Sequence, residues 1–291
     1  MIKWLCGFCL MLLVSCEKNI NFDLNDSAAV LVVDAQIENN RAPVVVLTTS
    51  QSYFSQITPQ LLAGSFVRNA EVYMSNGTLT HRLKEYAYDL IPGYTAYYYG
   101  IDSSSLSTAF EGAFGTDYTL RIVADGKEYT AATRIPALQT VPDSFYFKQA
   151  PQNPDTNKRV LMVKATDPAG LGNYVRYFTQ RNSEPMYPGE NSVYSDEVFD
   201  GTTYEVQLPQ GIDRNDPPSE DENFFFKSDT VTLKFCNIDR PTYRFWNTWE
   251  FAFQSVGNPF SQPNKVIGNI SNGALGAFCG YAAWYRTLIV Q

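Results

Sequence analysis

The chain has 291 residues, with 22 Lys and Arg against 30 Asp and Glu, a formal net charge of −8 at pH 7 and a single His. No basic cluster offsets this acidic balance, so the composition argues against nucleic acid or an anionic lipid surface as partner. With 19 Tyr and 19 Phe, many Thr and Val, and few long helical patterns, it points to β structure.

At the amino terminus Lys3 precedes an apolar run from Trp4 to Val14, which stops at Ser15-Cys16. A positive charge, a short apolar core and a small residue before a cleavage point are the parts of a secretory signal. The run falls short of the roughly 20 apolar residues that span a bilayer. Leu13-Val14-Ser15-Cys16 resembles the bacterial lipobox, in which the cysteine is acylated and becomes the first mature residue. An ordinary signal peptide with an incidental cysteine is the alternative. Residues 1–15 then form the signal and 16–27 a polar tether from a lipid on Cys16. Several acyl chains anchor stably where one is marginal. Glu17 is not the Asp that typically retains lipoproteins at the inner membrane, which favours the outer membrane.

The first folded region is expected over 28–138. "AVLVVDAQIEN" and "APVVVLTTSQ" are β-branched runs joined at Asn39-Asn40-Arg41. Ser75-Asn76-Gly77 and Asp125-Gly126 each sit between strand patterns, and Asn-Gly and Asp-Gly are hairpin turns. Tyr118, Leu120, Ile122 and Ala124 alternate with the residues between them, the period of a half-buried strand. Six or seven such strands suggest an immunoglobulin-like β-sandwich. "PALQTVPDS" (136–144) reads as the boundary to a second β-rich domain over 139–291. Towards its end a helix is expected near 240–256: there is no Gly or Pro from Thr242 to Val256, and Phe245, Trp249, Ala252 and Val256 fall on one helical stripe. Asp239 can cap the start and Gly257 the end. A strand through Phe245, Trp249, Phe251 and Phe253 competes with the helix. "AFCGYAAWYRTLIVQ" reads as a closing strand.

Once Cys6 and Cys9 leave with the signal and Cys16 carries lipid, only Cys236 and Cys279 remain to form a disulfide or stay as buried thiols. Two thiols and one His cannot assemble a four-ligand zinc site. His81 lies in a strand beside a hairpin, without the Gly-x-Ser-x-Gly elbow of a hydrolase. It reads as a surface strand residue, and no cofactor motif is present. Asp213, Asp216 and Glu220 crowd one acidic loop where oxygen ligands could take calcium, although charge runs are usually solvated. Tyr97, Tyr98 and Tyr99 in "YTAYYYG" could stack on a sugar or other ligand, or pack on both sides of a strand. Trp246, Trp249 and Trp284 are expected beneath the helix. The Gly-rich "GNISNGALGAF" lacks the Lys-Ser/Thr of a phosphate loop and reads as a turn with close backbone approach.

The motifs "LVVDAQI", "NAEVYMSNG", "AFGTDYTLRIVADGKEYTA", "VFDGTTYEV", "DTVTLKF" and "NPFSQPNKVIGNISNGALGAFCGY" occur in order. Together with the lipobox they resemble the Bacteroidota lipoproteins grouped as domain of unknown function 4249 (DUF4249). The resemblance implies an outer-membrane lipoprotein, lipid-anchored and non-enzymatic, serving as accessory to a TonB-dependent transporter in uptake. A surface glycan- or ligand-binding module is the alternative, and a carboxylate hydrolase a third reading. Asp26-Ser27-Ala28 also resembles the O-glycosylation sequon of these bacteria, with Ser27 as acceptor.

Overall fold

Alternation of apolar and polar residues builds the strands seen in the computed structural model, which describes residues 29–52, 55–91, 94–217, 219–258 and 264–291. The first half carries β1 (Leu31–Glu38), β2 (Val44–Thr49), a short helix α1 (Pro59–Gly64), β3 (Glu71–Ser75), β4 (Thr80–Ile91), β5 (Tyr94–Gly100), β6 (Thr116–Ala124) and β7 (Lys127–Ile135). The second carries β8 (Pro142–Gln149), β9 (Lys158–Thr166), β10 (Tyr174–Arg181), β11 (Tyr187–Ser195), β12 (Thr203–Leu208), β13 (Phe225–Phe226), β14 (Thr230–Ile238), α2 (Arg240–Gln254) and β15 (Leu275–Ile289). The protein is mainly β, with one long helix packed on it, as its composition implies.

Eleven strands form one hydrogen-bonded path, β11-β10-β14-β15-β1-β2-β5-β4-β3-β6-β7. The path crosses the boundary expected at 138/139, because β1 pairs in parallel with β15 from Val32↔Leu275 to Glu38↔Tyr281. β4 turns the corner of the first half: Thr80–Leu83 pair with β3 and Lys84 onward with β5. The sheet rolls until β7 lies against β15, where a Cβ on Gly280 would sit 2.5 Å from the Arg134 carbonyl. Two layers thus enclose one core, as in a sandwich, with hydrogen bonds running unbroken between them. In that core Ile37, Val45, Val72, Met74 and Ile135 pack with Phe278 and Ala282 from the closing strand.

Both expected hairpins form, but at Asn76-Gly77 the turn is wider than two residues: Ser75 pairs with Thr80, and residues 76–79 make the loop. Asp125 and Gly126 take φ of 49° and 73°, the left-handed pair of a two-residue turn, and close Ala124 on Lys127. The Gly-rich turn makes a close approach: Gly276 has φ +91°, and a Cβ there would lie 1.9 Å from the Val33 carbonyl.

In the second half β8, β12 and β13 pair with β9 in a small sheet. It covers one face of the long sheet through Leu161, Val163, Tyr177, Phe225, Leu233 and Phe235. Trp284 packs on this face, 6.3 Å from Phe145, not beneath α2. The opposite face takes α2. Asp239 caps the helix by accepting from the Thr242 N–H at 2.9 Å. Its other oxygen accepts from Arg134 N–H and Thr133 Oγ1, tying β7 to the helix start. Phe245 and Trp249 of the expected stripe face the sheet, whereas Val256 lies beyond the helix and is 75% exposed.

Candidate functional site

Alternation along β1 sends Leu31, Val33, Ala35 and Ile37 into the core and leaves Val32, Asp34 and Gln36 on the other face. There they meet Ala277, Cys279 and Tyr281 of β15, Lys234 of β14 and Arg176 and Phe178 of β10. α2 crosses this face, and its Phe245, Trp246, Trp249 and Phe253 form a wall. The loop carrying Asp213, Arg214 and Asn215 forms the opposite rim. The result is a groove of about 710 Å³ over the parallel junction of β1 and β15.

Its walls are held by polar side chains reaching between elements. Arg176 is 2% exposed; its Nε donates to Ser192 Oγ and its Nη1 to Tyr281 OH, both at 3.0 Å. Its guanidinium lies 3.5 Å from the Trp246 ring centroid, and the Trp246 indole N–H donates to the same Tyr281 oxygen at 2.9 Å. Ser192 in turn donates its hydroxyl and backbone N–H to Glu250 of α2. Arg214 reaches Glu250 at 3.5 Å and lies 5.1 Å from the Trp249 ring centroid. Trp249 stacks on Phe253 at 5.4 Å.

The charges around the groove are unevenly paired. Among the described residues no carboxylate lies within ion-pair distance of Arg176; Lys234, by contrast, is paired with Glu38. Asp34 keeps contact with solvent inside the groove, yet the protein around it desolvates the carboxyl. That burial raises its pKa, and the Arg176 charge opposes the rise. Desolvation also lowers the pKa of Arg214, against the pull of Glu250. The groove therefore offers aromatic faces beside a cation and a carboxyl held in a medium of reduced polarity, where polar contacts gain strength.

The residues singled out in the sequence fall elsewhere. Cys16 and Ser27 lie outside the described residues. Cys236 and Cys279 are buried free thiols, not a disulfide. The register sets Cys236 opposite Ala283, four residues along β15 from Cys279, or about 13 Å at the rise of a strand. A disulfide bridges Cα atoms within about 7 Å. Burial pushes both thiols up to about 12.

The three tyrosines divide across β5. Tyr99 is a core residue, 2% exposed, whose hydroxyl donates to the Val67 carbonyl and accepts from the Ala70 N–H. Tyr98 stacks on Tyr86 opposite it, at 5.4 Å. The Arg68 guanidinium lies 3.9 Å from the Tyr97 ring centroid. Only Tyr97 and Tyr98 reach the surface, so no three-ring platform exists.

In the acidic loop Asp213 accepts from Tyr187 OH and from the backbone and side chain of Asn215, while Asp221 pairs with Lys158. Asp213, Asp216 and Glu220 are not gathered around one point. Among the described residues the one carboxylate group close enough to share a cation is Asp167, Asp196 and Asp200. His81 is buried, not on the surface. Asp102 N–H donates to its Nε2 at 3.0 Å, and Nδ1 meets Thr108 Oγ1 at 2.8 Å.

The groove escaped the sequence reading because its residues come from five strands, a loop and a helix far apart in the chain. The available signal was a set of charges at strand positions, Asp34 in "LVVDAQI", Arg176 in "NYVRYF" and Lys234 in "TLKF".

Fold and groove define a mainly β protein with an aromatic-walled groove on one face of a long sheet. The chain belongs to the family described as Domain of unknown function (DUF4249), whose model matches residues 17–284. No curated protein matches the chain.

Proposed function

We propose that the chain is a lipid-anchored, non-enzymatic binding protein of the bacterial outer membrane. In this reading it holds a ligand in the groove between α2 and the long sheet and works beside a TonB-dependent transporter. The groove carries the reading: Trp246, Trp249 and Phe253 offer an apolar face, and Arg176, Asp34 and Arg214 lie within it. A ligand with one apolar face and charged or hydrogen-bonding groups on the other matches this lining. The lipobox at Cys16 supports the anchor and the outer-membrane location. The family resemblance supports the transporter partnership. An anchor in the partner's own membrane raises effective concentration, so a weak interface suffices. The single His supports a non-enzymatic role, since both ring nitrogens are engaged within the fold and it does not line the groove.

Co-purification from detergent-solubilised outer membrane tests the reading. A transporter is expected with the wild-type chain, and Cys16→Ala is expected to leave the membrane fraction. Cys16→Ala that stays membrane-bound, with no lipid on the wild type, overturns the anchor. The stacked Trp249–Phe253 pair also suits a sugar ring, and Phe253 is 42% exposed. This favours a surface glycan-binding module as second reading. Its mark is the absence of a transporter together with retention on polysaccharide that Trp249→Ala weakens and Tyr98→Ala leaves unchanged.

A further inference from the structure

At the far end of the second half, β9 and β11 each run into an aspartate. Asp167 follows the last residue of β9, and Asp196 follows the last residue of β11 and opens a turn that reaches Asp200. Carboxylate oxygens from all three lie within 4.8 Å of one another. Asp167 and Asp196 are 5% and 4% exposed, so two acids share a buried spot. The described residues supply no Lys or Arg in ion-pair contact with any of the three.

The hydrogen bonds present leave one of these oxygens unanswered. Asp196 Oδ2 accepts from the Gly172 and Asn173 N–H groups at 2.8 Å. Asp200 Oδ1 accepts from the Gly170 N–H at 2.6 Å. Asp167 Oδ1 accepts from Thr140 Oγ1 at 3.3 Å, and the Gly201 N–H and Asn173 side chain also act on the carboxylate, but its buried Oδ2 has no hydrogen-bond partner of its own. An orphaned buried carboxylate oxygen is costly when charged. A cation held by the three carboxylates would give that oxygen a partner.

We propose that Asp167, Asp196 and Asp200 form a structural calcium site that staples the end of β9 to the end of β11. Calcium takes 6–8 oxygen ligands at about 2.3–2.6 Å. A separation of 4.8 Å is no wider than the span across such a shell. Three carboxylates supply a hard, oxygen-only donor set without His or Cys, which disfavours the softer transition metals. Water completes the shell on the exposed Asp200 side. The staple ties the small sheet to the edge of the long sheet, in a fold whose two described cysteines form no disulfide. It also closes one end of the apolar interlayer cavity that Asp167 and Asp196 line with Val163, Val175 and Phe235.

The test uses the full chain stripped with EDTA, followed by calcium chloride titration with calorimetry and thermal melting. A saturable heat near one equivalent is expected. At a hundredfold excess over Kd the midpoint of unfolding should rise by roughly 5 °C. Asp200→Ala, at an exposed position, should fold yet lose most of the shift. Asp216→Asn, in the other acidic loop, should keep it. A wild-type chain with neither heat nor shift overturns the proposal. So does loss of the shift in Asp216→Asn with retention in Asp200→Ala. If Asp167 is instead neutralised by a proton, Asp167→Asn stabilises the chain without calcium and the wild type ignores the ion, which also overturns it.

Discussion

Arg176 lies over Trp246, its guanidinium 3.5 Å from the ring centroid, while both side chains donate to the hydroxyl oxygen of Tyr281. This three-residue knot joins β10, α2 and β15 and sets the depth of the groove. Removing the cation leaves Ser192 Oγ and Tyr281 OH short of a donor in a buried place. Arg176→Met is expected to cost about 2–4 kcal/mol, read from the urea midpoint. Arg176→Lys should recover little of this, because an ammonium neither stacks flat on indole nor donates in two fixed directions. The Trp emission maximum should move in both variants.

Tyr98 and Tyr99 are neighbours with opposite roles. Tyr99 fills the first core, and burial raises its pKa to about 12. Tyr99→Ala is expected to cost about 3–5 kcal/mol through the cavity and the unpaired Val67 and Ala70 backbone groups. Tyr98→Ala removes only a half-buried ring from the ladder with Tyr86 and Tyr88, and about 1 kcal/mol is expected. Equal losses in parallel denaturant melts would contradict this division.

The local elements were legible from the residues because period-two alternation and Asn-Gly or Asp-Gly turns act over a few positions. The capped helix was legible for the same reason, through Asp239. Long-range pairing was not. Nothing in "AVLVVDAQIEN" announces that it takes β15, from the far end of the chain, as its parallel neighbour. The expected linker shows the limit well. "PALQTVPDS" has the prolines of a domain boundary, yet Thr140 is fully buried. Asn237 Oδ1 accepts from the Thr140 N–H at 2.8 Å, and Asn237 Nδ2 donates to the Thr140 carbonyl at 2.6 Å. One amide satisfies both backbone groups of a residue 97 positions away, so the strap is part of the packed structure.

Asn237→Ala should therefore behave as a core lesion. It strands a buried N–H and a buried C=O, and about 2–4 kcal/mol of stability is expected to go. Asn237→Asp keeps an acceptor for the Thr140 N–H but turns the donor into a second acceptor facing the carbonyl. It should lose at least as much at neutral pH. Proteolysis near residues 136–144 should accelerate in both variants and stay slow in the wild type.

Cys236 and Cys279 give a prediction with no stability component. Both are fully buried in the helix-facing cluster, and their raised pKa values keep them as thiols. A chain carrying only these two cysteines should migrate identically with and without reductant. It should take up two alkylating groups in denaturant and almost none when folded. An oxidised form that loses both labels after denaturation would contradict the register of β14 on β15.

His81 sets a pH dependence whose sign follows from its surroundings. Burial lowers its pKa from the ordinary value of 6.5, and the nearby Asp102 charge opposes the shift only partly. Because Nε2 accepts from the Asp102 N–H, the neutral ring carries its proton on Nδ1 and donates it to Thr108 Oγ1. Protonating Nε2 would set two donors against each other in a buried place. The folded chain therefore stays neutral at His81 while the unfolded chain binds a proton as pH falls through about 6.5. Since the unfolded state binds more protons in that window, its contribution to stability is full above about 6.5 and declines as pH falls. The decline levels off only once pH drops below the depressed folded value. Urea midpoints between pH 7.5 and 5.5 should fall steadily in the wild type. In His81→Gln the baseline should be lower, and this part of the slope should vanish. A wild-type slope of opposite sign, or one that His81→Gln leaves unchanged, would place the titrating group elsewhere.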